Sequence, residues 1–516
     1  MRILRGSIKQ TIKKLGLSAV IRSLALAAAL GVVCLVTTSA ASQDLTADDV
    51  LVDVREVIIN QSEILTEGEI TAIVDPMIGQ RMSMEQLQEV LDQINRLYDE
   101  KQFITARAVL PPQTIEHGVV RIQLVEGRVG DITVADNQAT KEAYFLNRIS
   151  LQPGDLVRLD VLEQDLLYFN ATNDVQVRAE IKAGKEFGQT DLMITAVEPP
   201  KYQVVAFVDN GGREETGLYR LGVTAVNNSL FGNRDAVNLG VTYAEGTIGA
   251  SIGYDMPVGR QGSRLAVSYE YSKAKIISGI FQPVDIDGRS TNIGAKFTHP
   301  LLVRPQGKLS GGLEWQGKQT DNYFSGSKLL TTDLHTATLG VTGQWSWKGQ
   351  GLSGRQDIVW GRVQSPREED FLKYFGTVTW QRVLPRSGVL TLQGQWQLTN
   401  SELLPFAEQF SLGGMSTSRG YPAGTLTGDE GFSLSAEVDY PIGTRIRGMV
   451  FLDYGGVFPY KGNQEPIGPE DFLVSCGVGA VVRLTERIFA NLVGGWPIGA
   501  VSGEPQLHLF FQARLW

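Results

Sequence analysis

The chain has 516 residues, 42% apolar and 20% charged, the balance of a folded protein and length enough for about two to four domains. With 2 Cys and 4 His, it carries neither a disulfide framework nor a Cys/His-built metal site. A net charge of −9 argues against a general nucleic-acid binder, and the 57 glycines leave open whether the chain lives in water or in a membrane.

Arg2, Arg5, Lys9, Lys13 and Lys14 precede an apolar run from Leu24 to Val36, which ends in Ser39-Ala40-Ala41-Ser42. No acidic residue occurs before Asp44. This order predicts a secretory signal peptide over residues 1–41, cleaved after Ala40 or Ala41; a retained membrane helix is the competing reading. Cys34 follows Val33, where a lipoprotein signal needs a small residue. Losing six basic residues (those five and Arg22) takes the net charge from −9 to −15 and leaves Cys476 without an internal disulfide partner. No later segment reaches 18 consecutive apolar residues, so any further membrane crossing must be sought as strand periodicity.

Residues 51–127 read as one α+β unit. A strand is expected over Leu51–Ile59 and a helix over Gly68–Ile78. A stronger helix is expected over Met84–Glu100, where Leu87, Val90, Leu91, Ile94, Leu97 and Tyr98 share one face and Ser83 with Gln86 forms a capping box. Strands Phe103–Val109 and Val119–Val125 close the unit. Residues 128–198 repeat the order: strand Val129–Ala135, helices Lys141–Ile149 and Leu159–Phe169, strands Val175–Ile181 and Asp191–Val197. Tandem units of this order resemble polypeptide-transport-associated (POTRA) domains. Pro199-Pro200 then reads as a short, stiff linker.

From residue 201 to 516 helical periodicity disappears and segments of about ten residues alternate apolar and polar. In Phe432–Tyr440, for example, Phe432, Leu434, Ala436, Val438 and Tyr440 alternate with Ser433, Ser435, Glu437 and Asp439. Thr336–Trp347 and Val389–Leu398 alternate as cleanly. Strands are expected near 201–210, 217–228, 234–244, 246–256, 262–274, 290–300, 307–318, 333–347, 351–361, 372–381, 387–398, 429–440, 444–455, 471–482, 486–496 and 506–516. That even count suits a bacterial outer-membrane barrel. Trp345, Trp347, Trp380, Trp396 and Tyr440 near strand ends fit an interfacial girdle, which a secreted β-sandwich or β-solenoid has no reason to build. The fold class is therefore a transmembrane β-barrel of about 16 antiparallel strands preceded by two periplasmic α+β POTRA domains. One phase is off: Trp516 is out of step with Leu507, Leu509, Phe511, Ala513 and Leu515, which a terminal bulge or an interfacial turn would explain.

A long connection, residues 399–428, separates two of these strands and contains Ser418-Arg419-Gly420-Tyr421. On a later strand, period two puts Phe451, Asp453 and Gly455 on the lumen face with Arg447, and Val450, Leu452 and Tyr454 on the lipid face; Arg445 is expected to join the lumen group. Arg-Gly-Tyr in a long loop together with Phe-x-Asp-x-Gly in a late strand resembles the two hallmark motifs of the POTRA-plus-barrel transporter superfamily. Two POTRA units before sixteen strands is similar to its two-partner-secretion branch, the hemolysin-activator or ShlB/FhaC/HecB type. The resemblance covers the whole mature chain.

It implies that Arg419 sits at the tip of an inward-folded loop and pairs with Asp453 as a latch or brace, with Gly420 allowing the tight tip and Tyr421 packing beside it. Ser418 replaces a frequent Val before the Arg. It also implies a secreted exoprotein client, of the β-helical adhesin or hemolysin type, that adds a strand to POTRA edges. Candidate edge residues are Phe103, Thr105, Arg107 and Val109 in the first unit and Val175, Val177, Ala179 and Ile181 in the second. Some relatives of this type carry a plug helix and linker; only about ten residues (Ser42 to Leu51) are available here, so the loop is expected to be the main obstruction.

No cofactor, metal, nucleic acid or nucleotide is expected, only the client and outer-membrane lipid, and client folding outside supplies the energy. The histidines His117, His299, His335 and His508 are scattered and read as isolated surface or interface residues; no serine-hydrolase elbow is present, so no catalytic residue is named. Two other functions stay open: an insertion or assembly factor of the same superfamily, and an outer-membrane hydrolase.

Overall fold

A computed structural model describes residues 51–366, 368–401, 403–458 and 466–516; the expected signal peptide and the stretch after it lie outside the described residues. In the first unit, β1 (Leu51–Asp53) pairs with β3 (Arg81–Ser83), while β2 (Glu56–Ile59), β5 (Val119–Val125) and β4 (Arg107–Val109) form a sheet in that order. The single strand expected over Leu51–Ile59 is thus two. Val54 is tied to Gly79 and Gln80, and Arg55 and Glu56 both donate to Gly118 O, so the chain changes partners between them.

Helix α1 (Glu67–Val74) starts on a Thr66/Glu69 capping box and α2 (Met84–Glu100) on the expected Ser83/Gln86 box. Leu87, Val90, Leu91, Ile94 and Tyr98 of α2 are buried against the sheet, each such apolar side chain worth about 1.5–3 kcal/mol. In the second unit, β6 (Arg128–Ala135), β8 (Gln189–Val197) and β7 (Gln176–Ala183) form the sheet in that order. Helices α3 (Glu142–Leu146) and α4 (Leu159–Thr172) share its core through Phe145, stacked on Phe169 at 5.6 Å.

The remaining strands close into a barrel. They are β9 (Tyr202–Asp209), β10 (Arg220–Asn227), β11 (Ala236–Ala244), β12 (Thr247–Val258), β13 (Ser263–Lys275), β14 (Ile286–Arg304), β15 (Gly307–Phe324) and β16 (Ser327–Trp347). The circuit continues with β17 (Gln350–Ser365), β18 (Glu369–Val383) and β19 (Val389–Thr399). After a loop holding the short pair β20 (Phe410–Leu412) and β21 (Leu426–Gly428) come β22 (Glu430–Pro441), β23 (Ile446–Phe458), β24 (Phe472–Arg483), β25 (Ile488–Pro497) and β26 (Gln506–Arg514). Every neighbour is antiparallel and β26 pairs with β9 to close sixteen strands.

Strands β14 to β17 run longer than expected, at 19, 18, 21 and 16 residues, against the 9–11 that cross a bilayer. Their far ends carry pairs such as Lys328–Asp321 and Lys273–Asp287, polar on both faces, so the alternation that reveals a strand is missing there. At the seam Leu515 N and Trp516 N both point to Val204 O, at 2.8 and 3.4 Å. Two residues opposing one is a β-bulge, and it accounts for the phase of Trp516, which like Leu515 projects outward.

The second unit is docked under one sector of the barrel. Lys141 N donates to Gly232 O (2.8 Å) and Ser229 Oγ to Ala139 O (2.8 Å), both at the β10–β11 turn. Arg234 in that turn is fully buried and its guanidinium grips Asp174, with Nε at 3.0 Å. At the β12–β13 turn Arg148 reaches Gly259 O (3.0 Å) and Tyr168 reaches Gln261 O (3.1 Å), and Lys308 of β15 donates to Ala171 O (2.8 Å).

Candidate functional site

The loop between β19 and β22 folds into the lumen and is pinned at its stem and at its tip. At the stem, Leu404 is buried with Leu334, Val359, Val363 and Phe371 of the wall. Asp429 Oδ1 accepts from Leu404 N and Gln409 Nε2, both at 3.0 Å, and Lys373 pairs with Glu408 at 2.8 Å. Beyond β20 the chain turns sharply. Gly413 has φ of +105°, and a Cβ there would lie 2.0 Å from Pro422 O, so glycine is required. Thr417 Oγ1 closes the turn onto Gly413 O (2.9 Å), and Gly414 N donates to Tyr421 O (2.8 Å).

This turn presents Arg419, 9% exposed, to Asp453, which is 0% exposed. Arg419 Nε and N each donate to Asp453 Oδ2 at 3.0 Å, and Nη2 donates to Oδ1 at 2.9 Å. Nη1 donates to Glu437 Oε2 (2.6 Å), Nη2 also reaches Ser435 Oγ (3.0 Å), and the guanidinium lies 3.5 Å above the Phe451 ring centroid. Ser435 Oγ donates to Asp453 Oδ1 (2.8 Å) and Ser475 Oγ to Oδ2 (3.4 Å). The cation is therefore paired, hydrogen-bonded and stacked, the conditions under which a charge is tolerable away from water.

The tip's backbone is held as well. His508 Nε2 lies 2.8 Å from Arg419 O, so in the tautomer bearing that proton it donates to the carbonyl. Gly420 packs against Ser475 and Trp496, and Gly495 lies under Arg419 O. Tyr421 is buried, its hydroxyl directed to Val501 O (3.0 Å) and Val474 O (3.2 Å). Gly455 leaves room for Leu412, whose methyls a Cβ would meet at 2.9 Å.

All six motif residues, Arg419, Gly420, Tyr421, Phe451, Asp453 and Gly455, thus meet in one place. Glu437, Ser435, Ser475 and His508 join them without having been expected. The first three are the inward residues that strand register sets beside Asp453: Ser435 and Ser475 lie directly opposite it, and Glu437 lies opposite Phe451. His508 is not an isolated surface histidine but a buried partner of the loop. Nor do Arg445 and Arg447 join Asp453; Arg447 pairs with Asp439 nearer the periplasmic rim, and Arg445 lies before β23 begins.

The POTRA edges differ in part from expectation. Strand β4 begins only at Arg107, because Phe103 N bonds Tyr98 O and Ala106 N bonds Phe103 O, putting Phe103 and Thr105 in a turn. Arg107 and Val109 are in the edge strand. In the second unit Val177, Ala179 and Ile181 lie in the edge strand β7, and Val175 precedes it as a core residue. Each edge carries an asparagine from the neighbouring helix: Asn95 accepts from Ala108 N (2.7 Å), and Asn170 bonds both Val177 N (2.7 Å) and Val177 O (3.0 Å).

Residues 188–482 match the family described as haemolysin secretion/activation protein ShlB/FhaC/HecB, and residues 52–127 match the ShlB-type POTRA domain. The chain belongs to the ShlB/FhaC/HecB family. Similar proteins include the heme/hemopexin transporter protein HuxB of Haemophilus influenzae, 26% identical over 428 residues, covering 78% of this chain and 75% of that protein. The outer membrane transporter CdiB of Dickeya dadantii is 25% identical over 481 residues, covering 86% and 82%. In fold, CdiB from Acinetobacter baumannii superposes with a TM-score of 0.65 over 98% of each chain at 17% identity. This ShlB/FhaC/HecB-type barrel lies in the outer membrane, with its POTRA side in the periplasm.

Proposed function

We propose that the protein is the transporter of a two-partner secretion system, passing one exported polypeptide through its lumen to the cell surface. The observation that carries this reading is the loop arginine buried on Asp453 inside a sixteen-stranded barrel. That arrangement keeps a thirty-residue loop parked against the wall, where a loose one would wander through the bore. The Arg419–Asp453–Glu437 cluster serves as a brace. Relatives named for heme/hemopexin and hemolysin transport support a secreted client, of the β-helical adhesin or hemolysin type. An extended client carries unpaired backbone groups, and β7, eight residues long at a sheet edge, offers them partners by strand addition. The three-residue β4, its central N–H already bonded to Asn95, offers far less.

The test is deletion of the protein and comparison of periplasm with culture medium. One protein, or one small set, accumulates inside and disappears outside. A general loss of outer-membrane barrels instead would point to the assembly-factor reading and remove this one.

A further inference from the structure

The loop does not fill the lumen. Its tip is held on β22 to β26 and its stem on β16 to β18, and a cavity of about 640 Å³ remains between Ala407 and the wall formed by β10 to β15. Register sets the inward residues of that wall in rows. Ser251, Glu270, Asn292 and Lys318 stand on successive strands at one height, with Ser272 and Ser290 in the next row. Their chemistry differs from that of the other inward groups. Many lumen charges elsewhere are tied to one another, as in Lys296–Glu314–Arg355–Asp357, Lys373–Glu408 and Arg419–Glu437/Asp453. On this wall hydroxyls and amides outnumber the two charges, Glu270 and Lys318, which form no ion pair among the described residues, and Asn292 Oδ1 is shielded from solvent with no hydrogen-bond partner among them. Gly249 has no side chain in its way and leaves the surface low.

A second, independent observation concerns what lies beneath. The β10–β11 and β12–β13 turns and Lys308 of β15, which the second POTRA unit grips, belong to the strands of this same wall. A chain handed on from that unit meets this sector of the barrel first.

We propose that an extended, largely uncharged stretch of exported polypeptide runs along the β10–β15 wall, hydrogen-bonding Ser251, Ser272, Ser290 and Asn292, and passes beside the loop while Arg419 stays on Asp453. This inference rests on the transport reading above. Neutral hydrogen bonds of about 0.5–1.5 kcal/mol net each satisfy a passing backbone without holding it, and only Glu270 and Lys318 on this wall offer charges that would hold a charged segment. Many weak stations in a row are what conduction requires, favourable enough to enter and weak enough to leave.

The test uses the full chain with Cys476→Ser, so that a single introduced cysteine reports. Ser251→Cys and Ser290→Cys face the open path, whereas Ser433→Cys, inward on β22 and buried behind the loop, is the control. In planar bilayers a cationic thiol reagent reduces the single-channel current of the first two on the order of twofold and leaves the Ser433→Cys current unchanged. In cells, the client identified by deletion is given one cysteine and stalled by fusion to a disulfide-locked domain; it forms disulfide adducts with Ser251→Cys and Ser290→Cys and not with Ser433→Cys. Equal current loss in all three, or adducts at Ser433→Cys, would show that the loop leaves its place and overturn the proposal. A client that is secreted normally yet never cross-links to the wall would overturn it too. Finding no client while the bilayer currents behave as described would sink the transport reading and leave the open path standing.

Discussion

Replacing Asp453 by Ala removes three of the contacts that fix the loop tip: those from Arg419 N, Nε and Nη2. Breaking a buried ion pair by deleting one partner costs about 3–5 kcal/mol, because the other charge stays behind uncompensated. Here Glu437 still accepts from Nη1 and Phe451 still underlies the guanidinium, which places the loss at the lower end. A loss of about 3 kcal/mol changes the ratio of docked to undocked loop by roughly two orders of magnitude. Ser418 is a suitable reporter, since it is fully buried and its Oγ has no partner, so Ser418→Cys disturbs little. With Cys476→Ser, the thiol labelling rate at Ser418→Cys rises by about that factor in Asp453→Ala, and secretion falls as the freed loop enters the bore. Asp453→Asn retains one acceptor and falls between the two. Unchanged labelling in Asp453→Ala, with the barrel still heat-modifiable on gels, would refute the reasoning and assign the loop's position to its stem.

Gly495→Ala places a Cβ 2.3 Å from Arg419 O, an overpacking cost of about 1–3 kcal/mol. Labelling at Ser418→Cys therefore rises, while Gly494→Ala, whose Cβ meets only the Trp496 ring edge at 3.3 Å, leaves it unchanged. Asp174→Ala strands the buried Arg234 guanidinium and weakens the docking of the second POTRA unit by about 3 kcal/mol, seen as faster tryptic cleavage after Lys201, just past the Pro199-Pro200 linker. Glu69 is held at about 2 rather than 4.5, chiefly by the Lys101 ammonium and then by the Thr66 N–H and hydroxyl. A lowered folded-state value stabilises α1 at pH above 4.5, and that contribution fades as pH falls towards 2. The protection of α1 amides against exchange, taken relative to the intrinsic rate at each pH, falls over that interval in the wild type and shows no such step in Glu69→Gln.

What the residues revealed and what they hid follow from the same physics. The barrel was legible because lipid on one side and water on the other impose period two; β14 to β17 escaped full recognition where they leave the bilayer and both faces turn polar. The Arg419–Asp453 contact was legible through motifs that sit 34 residues apart. Glu437 and Ser475 were not: the alternation of Phe432–Tyr440 showed the phase of Glu437, but only register tells which inward residues are neighbours. His508 was hidden more deeply, since its partner is a backbone carbonyl 89 residues away that no side-chain pattern marks. The turn at Phe103–Ala106 was hidden by composition: apolar residues there read as strand, but the chain spends those backbone groups closing off α2.

The closed ring of sixteen strands also acts as a size gauge. At ~4.8 Å between strands and a tilt of about 40°, its backbone circumference is on the order of 100 Å and its diameter roughly 32 Å, before side chains and loop take their share. A compact domain of ~100 residues, with a radius of gyration of about 13 Å, is too wide to enter. Cargo that folds early locks itself out. The ring thereby selects for exported proteins that stay unfolded until they have passed it, whatever their final fold.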